Sequence, residues 1–311
     1  MGAILTGKVF ISCGMASSEE RNAALRVRDL LQNKFGFKRP YVAITVQSLD
    51  DIMTITKELR SSDYYLFIDF KRHSTFTHQE LALAHHLGFG SQILALRQKG
   101  RGARRPQGFL RYVLSHPPSF DTVDDLLAQV ENLVRAKGWN PDYSRNLVLN
   151  PSLTRSCPIR YGDHTGESFH ESWRAHIHNN RPDVAAFGTI CMLHSILDPS
   201  GNSYRCDDRA YLKWAGHGST TGYERTVLPE DSEVVDVFAV RQDQPGLFLL
   251  STLDSLPRKP IVTNNGDYEL TYRVFSRDFP LLEFTLMVHL RWQPTAAGSP
   301  WTNHTEAEVK R

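Results

Sequence analysis

The sequence predicts a doubly wound parallel α/β sheet over its first 140 or so residues, followed by an all-β sandwich, and three observations carry that prediction. Short apolar runs alternate with helix-period segments as far as Gly138. Those segments open on capping signals and close on glycine. Beyond about Asp163 the hydrophobic period changes to two. A chain of 311 residues is long enough for two cores, and we divide it into 1–140, a linker at 141–163, and 164–311.

The elements follow in order. Residues 8–13 form an apolar strand ending at Gly14, and Ser17-x-x-Glu20 is a capping box that opens a helix with Ala24, Val27, Leu30 and Leu31 on one face. Gly36 stops it, since a left-handed residue after a helix suits glycine. A second strand covers Tyr41–Val46, and the capping signal at Ser48 starts a helix through Ile52, Ile55 and Leu59. Tyr64–Phe70 is apolar almost throughout, as a parallel strand covered on both faces must be, with Asp69 near its carboxyl end. After the polar loop 71–74, Thr77 caps a third helix carrying Leu81, Ala84 and Leu87. Ile93–Leu96 is a fourth strand, Tyr112–Leu114 a fifth, and Thr122 to Lys137 the last helix, stopped by Gly138.

The second half reads as strands. Leu282, Phe284, Leu286, Val288, Leu290 and Trp292 alternate with polar residues, as do Tyr268, Leu270, Tyr272 and Val274. Trp173–Ile177, Phe187–Leu197, Tyr211–Trp214, Val234–Val240 and Leu247–Ser251 complete a set whose architecture resembles an immunoglobulin-like sandwich, without a cysteine pair at immunoglobulin spacing.

Composition narrows the function. Hydrophobic residues at 41% and charged residues at 23% are those of a globular protein, and a formal charge of +2 provides no general attraction to nucleic acid or an anionic membrane. The four cysteines lack C-x-x-C spacing, which fits a reducing, cytoplasmic setting without a zinc site. No secretory leader or membrane-length apolar run occurs. Neither a glycine-rich dinucleotide fingerprint after the first strand nor a P-loop is present. His176-x-His178 places two rings on one strand face, but no carboxylate or cysteine pattern completes a metal site. Arg97 to Arg105 is a basic run without interleaved aromatic residues, the pattern of a solvated loop.

The segment from Phe76 to Phe89, FTHQELALAHHLGF, follows the strand ending in Asp69. It resembles the E-x-G-x-A-x-x-L-G segment of nucleoside 2-deoxyribosyltransferase-like proteins, with Ala82 in place of the glycine. Phe76 to Glu80 also resembles the W-x-x-x-E motif of NAD-cleaving TIR domains, with Phe76 in place of tryptophan. The resemblance covers residues 8–138 and implies a flavodoxin-like fold in which Glu80 is the catalytic carboxylate. It implies an N-glycosidase acting on NAD or a related nucleotide as substrate, with no separate cofactor, and in bacteria a place in antiphage defence. A carboxylate beneath a ribose stabilises or captures the cationic carbon formed when the N-glycosidic bond breaks. Nicotinamide leaves as a neutral base, so a second carboxyl is not required.

Around Glu80 the candidate substrate-binding residues are Ser12, Cys13 and Gly14 at the first strand's end, and Asp69, Lys71, Arg72 and Phe76 after the third. The competing reading makes Glu80 the partner of Thr77 in a capping box. The alternative function is a non-catalytic nucleotide sensor or adaptor. In either case the expected partners are a nucleotide ligand and a second copy of the chain or an effector protein.

Overall fold

The computed structural model describes residues 7–14, 17–38, 40–43, 49–71, 75–100, 116–163, 166–206, 211–215, 223–242, 244–250, 260–277, 279–293 and 302–310. The chain divides into two compact units at Arg145 and Asn146.

The first unit alternates strand and helix: β1 (Val9–Cys13), α1 (Ser18–Phe35), β2 (Tyr41–Val42), α2 (Leu49–Arg60), β3 (Tyr64–Asp69), α3 (Thr75–His86), β4 (Ile93–Gln98), β5 (Ser119–Phe120) and α4 (Val123–Ala136). The strands are parallel and lie in the order β2-β1-β3-β4-β5, the doubly wound order of flavodoxin-like sheets. One core joins β1 and β3 to α1 and α4 through Val9, Ile11, Val27, Leu31, Leu66, Ile68, Leu126 and Val130. Another joins the opposite face to α2 and α3 through Phe10, Tyr65, Phe67, Ile55, Leu59, Leu81 and Ala84. Alternate residues of a strand point to opposite faces, so a strand with helices on both sides is apolar at every position. All six residues of β3 are buried, Asp69 included.

Local signals explain the helix ends. Ser17 accepts from the Glu20 backbone N–H while the Glu20 side chain accepts from the Ser17 N–H, and Gly36 ends α1 at φ 78°. Thr122 caps α4. The strand expected at Tyr41–Val46 is paired only over Tyr41–Val42, and 44–48 lie outside the described residues. The fifth strand expected at Tyr112–Leu114 also lies outside them; among the described residues β4 pairs with Ser119–Phe120. Thr77 is not a cap, because α3 already begins at Thr75.

The second unit holds two antiparallel sheets. In one, β6 (Leu147–Leu149), β7 (Thr154–Arg155) and β8 (Ile159–Asp163) pair with the long β9 (Gly166–Asn179). β9 pairs in turn with β13 (Ser232–Arg241), followed outward by β14 (Leu247–Phe248) and β15 (Pro260–Val262). In the other, β10 (Ala186–Leu197) carries β11 (Ser203–Arg205) and β12 (Glu224–Val227) and joins β16 (Gly266–Ser276), β17 (Phe279–Leu290) and β20 (Glu306–Val309). β18 (Trp292–Gln293) and β19 (Thr302–Asn303) form a separate pair. The alternation read from the sequence is the burial pattern of β16 and β17, with Leu270, Tyr272, Val274, Phe284, Leu286 and Val288 inside. Tyr211 and Trp214 make isolated bridges rather than a strand.

The stretch expected as a linker, 141–163, is shared between the units. Pro141 accepts from the Gly7 N–H and Arg145 binds Asp63 in the first unit, whereas β6, β7 and β8 pair with β9 in the second. Its prolines and asparagines mark turns between short strands. None of the four cysteines is in a disulfide. Among the described residues no helix is long and apolar enough to cross a membrane.

Candidate functional site

In a sheet of this order, ligands bind outside the carboxyl ends of the strands where the winding reverses, here between β1 and β3. Ser12, Cys13 and Gly14 close β1 at this place, Asp69 closes β3, and α3 brings Glu80 over the same end.

Glu80 is buried, at 4% exposure, and does not fold back on its own helix start. Its Oε2 accepts a hydrogen bond from the Ser12 hydroxyl, which is wholly buried on the α2/α3 side of the sheet. Its Oε1 has no hydrogen-bond partner among the described residues. Burial pushes the carboxyl up to about 7, and only the Ser12 bond works against that rise. The capping-box reading of Glu80 therefore fails. With the helix starting two residues earlier than Thr77, the side chain projects onto the sheet instead of the helix end.

Cys13 points to the opposite face, among the apolar residues of α1 and α4. Burial, then the Glu80 and Glu20 charges, hold its thiol up at about 12, so it is not a thiolate nucleophile near neutral pH. Gly14 sits against the Glu20 carboxylate: a Cβ there would lie 3.4 Å from Glu20 Oε2. Glu20 thus caps α1 and walls the end of β1 with the same side chain.

The residues expected after β3 are placed differently. Asp69 accepts from Arg97 Nε at 3.1 Å, with His78 Nε2 at 3.9 Å, so its carboxylate is engaged by protein. Phe76 is half-buried and packs on the α2/α3 core. Lys71 is exposed; its backbone N–H donates to Gln98, and its side chain passes the turn at Gly100. Arg72 lies outside the described residues, as does His73. The structure therefore brings Ser12 and Glu80 together, leaves Cys13 on the other face within reach of the Glu80 charge, sets Gly14 against Glu20, and places Asp69 in a separate cluster with Arg97 and His78.

Two tyrosines join the site without having been picked out from the sequence. Tyr65 on β3 stacks on Phe10 at 5.8 Å, and its phenol is held well above its ordinary range by burial and then by the Glu80 charge. Tyr41 on β2 is raised by burial, then by the carboxylates Glu58, Glu80 and Asp51. The signal was present in β3, because Tyr65 shares the facing of Phe10 and Ser12 once the register Phe10↔Tyr65 is known. Arg97, read as the start of a basic loop, is the strand residue paired in register with Asp69. His176 and His178 bind Thr154 and Ser232 respectively. A cavity of about 630 Å³ lies elsewhere in this unit, lined in part by His85, Ser91, Leu94, His116 and Lys137, none of them among the residues named for the site.

No protein-family model matches the chain, and no curated protein matches it. Among solved structures, it is similar to a CMP N-glycosidase from Clostridium botulinum, at 16% identity and a TM-score of 0.29 over 40% of this chain and 98% of that one. It is also similar to translation elongation factor SelB from Methanococcus maripaludis, at 12% identity and a TM-score of 0.33 over 98% of this chain and 72% of that one. A β-glucosidase from Erythrobacter marinus superposes at 10% identity and a TM-score of 0.28, over 92% of this chain and 47% of that one. At such low superposition these likenesses determine nothing about this chain's chemistry, which rests on its own geometry.

Proposed function

We propose that the first unit is an N-glycosidase that cleaves the bond between ribose and base in NAD or a related nucleotide, with Glu80 as the catalytic carboxylate. The observation that supports this reading is the state of that one side chain. It is buried at the sheet's reversal point, held through one oxygen by Ser12, and its other oxygen has no partner among the described residues.

The chemistry follows from the charge that develops. As the C1′–N bond breaks, its electron pair leaves with the base and the ribose carbon becomes cationic; Glu80 Oε1 stabilises that carbon or bonds to it until water takes its place. A carboxyl poised near 7 is partly ionised at neutral pH, and a pyridinium ribose beside it favours the charged form. Such a substrate releases a neutral base, so a single carboxylate suffices.

The test is base release. Purified protein is incubated with NAD and with purine and pyrimidine nucleoside monophosphates, and free base is followed by chromatography. Wild type should release base from at least one, with kcat/KM rising as pH increases through about 7, while Glu80→Gln keeps the fold and loses about 100-fold or more. Equal turnover by the folded Glu80→Gln protein, or no release by wild type from any of these substrates, would overturn the reading.

A further inference from the structure

Glu80 receives its hydrogen bond from outside its own helix. Ser12 is the penultimate residue of β1, has no solvent exposure, and donates its hydroxyl to Glu80 Oε2 across the gap between β1 and α3. The titratable groups that feel the Glu80 charge are Tyr65 of β3, Tyr41 of β2 and, from the other face of the sheet, Cys13 of β1. Glu20 of α1 lies behind Cys13, and Glu58 and Asp51 of α2 lie behind Tyr41. Among the described residues, the Ser12 hydroxyl is the group whose hydrogen bond favours the charged form of Glu80. A carboxyl clamped through one oxygen also loses its freedom to rotate, which fixes the direction of the other.

We propose that Ser12 is the positioning residue of this site: by holding Oε2 it sets the direction of Oε1 and keeps Glu80 able to ionise. The inference rests on the N-glycosidase reading for its meaning in turnover, but not for its physical content. Ser12 then has a different part from the substrate contact expected of it, since its only hydroxyl proton is already committed to Glu80.

Ser12→Ala and Ser12→Cys separate the possibilities. The Glu80 carboxyl is titrated by carbon NMR in the full chain, its signal identified by its loss in Glu80→Gln, and the pH profile of base release from NAD is recorded alongside. In Ser12→Ala the Glu80 midpoint should move above its position near 7, because a bond that favours the charged form has gone. The acid limb of kcat/KM should move with it, and kcat at neutral pH should fall by about 100-fold with KM little changed. Ser12→Cys, whose thiol is a weaker donor of similar shape, should fall between; it carries the same measurement if the alanine protein does not fold. A merely structural serine would lower the melting temperature and leave the midpoint and limb where they were, and that result sinks the proposal. If the midpoint rises in Ser12→Ala but wild type releases base from neither NAD nor any of the nucleoside monophosphates, positioning stands and the N-glycosidase reading is what fails. If wild type cleaves NAD and the midpoint does not move, the reverse holds.

Discussion

A carboxyl at 4% exposure with one hydroxyl for company is more stable neutral than charged, and that preference is linked to folding. In the unfolded chain Glu80 titrates near 4.5, in the folded protein at about 7, so between these values the native state binds more protons. Stability is therefore unpenalised below about 4.5 and falls as pH rises through about 7, by about 3 kcal/mol if the whole shift is expressed. Glu80→Gln removes the ionisation while keeping the shape. Its melting temperature should exceed that of wild type at pH 8 and converge with it near pH 4.5; a constant offset across this range would mean that Glu80 does not titrate as described. The same residue scale shows what the sequence could deliver. The places of Glu80, Ser12 and Gly14 at the carboxyl end of the sheet were legible because each is fixed by local signals, an end-of-strand position or a short motif. Asp69 and Phe76 were assigned to substrate because nothing local reveals that Arg97 stands beside Asp69 in register, or that Phe76 turns into the α2/α3 core.

Elements are held at the opposite end of the sheet by a different carboxylate. Asp63, just before β3, accepts from the Lys8 N–H at 2.9 Å, the Arg145 N–H at 2.9 Å and the Ser144 hydroxyl at 2.9 Å. Arg145 in turn donates to the Ser62 and Leu87 carbonyls and lies over the Phe89 ring at 3.7 Å. Burial raises the Asp63 carboxyl, and these donors oppose the rise, so the group is costly to bury and effective once bonded. Asp63→Ala leaves two backbone N–H groups without their acceptor and should cost about 2–4 kcal/mol, read as a lower urea midpoint at unchanged slope. An unmoved midpoint would show the cluster to be incidental. Helix starts and stops at Ser17, Gly36, Thr122 and Gly138 were readable because caps act within a few residues. The Asp63 cluster was not, since it joins residues more than 80 positions apart.

At the scale of the whole molecule, each unit contains apolar surface enough to form its own core. Among the described residues of the first unit, β1, β3 and the helices α1 to α4 bury their apolar residues against one another in two clusters that reach as far as Tyr143. A composition break placed the boundary near residue 140, but composition registers turns, not contacts. Asn140 exchanges hydrogen bonds with the Tyr64 hydroxyl at 3.0 Å, and Trp139 stacks on the Tyr64 ring at 4.5 Å. Pro141 accepts from Gly7, and Ser144 and Arg145 complete the Asp63 cluster. Cutting at 140 therefore removes partners that the first unit uses, whereas cutting at 145 keeps them. A fragment of residues 1–145 should unfold in a single cooperative urea transition and keep the Glu80 midpoint near 7, because every group that sets it lies inside the fragment. A fragment of residues 1–140 should be less stable than 1–145, by about the cost predicted for Asp63→Ala or more. Equal urea midpoints for the two fragments would place the boundary where composition put it, and a non-cooperative melt of residues 1–145 would mean that the first unit depends on the second.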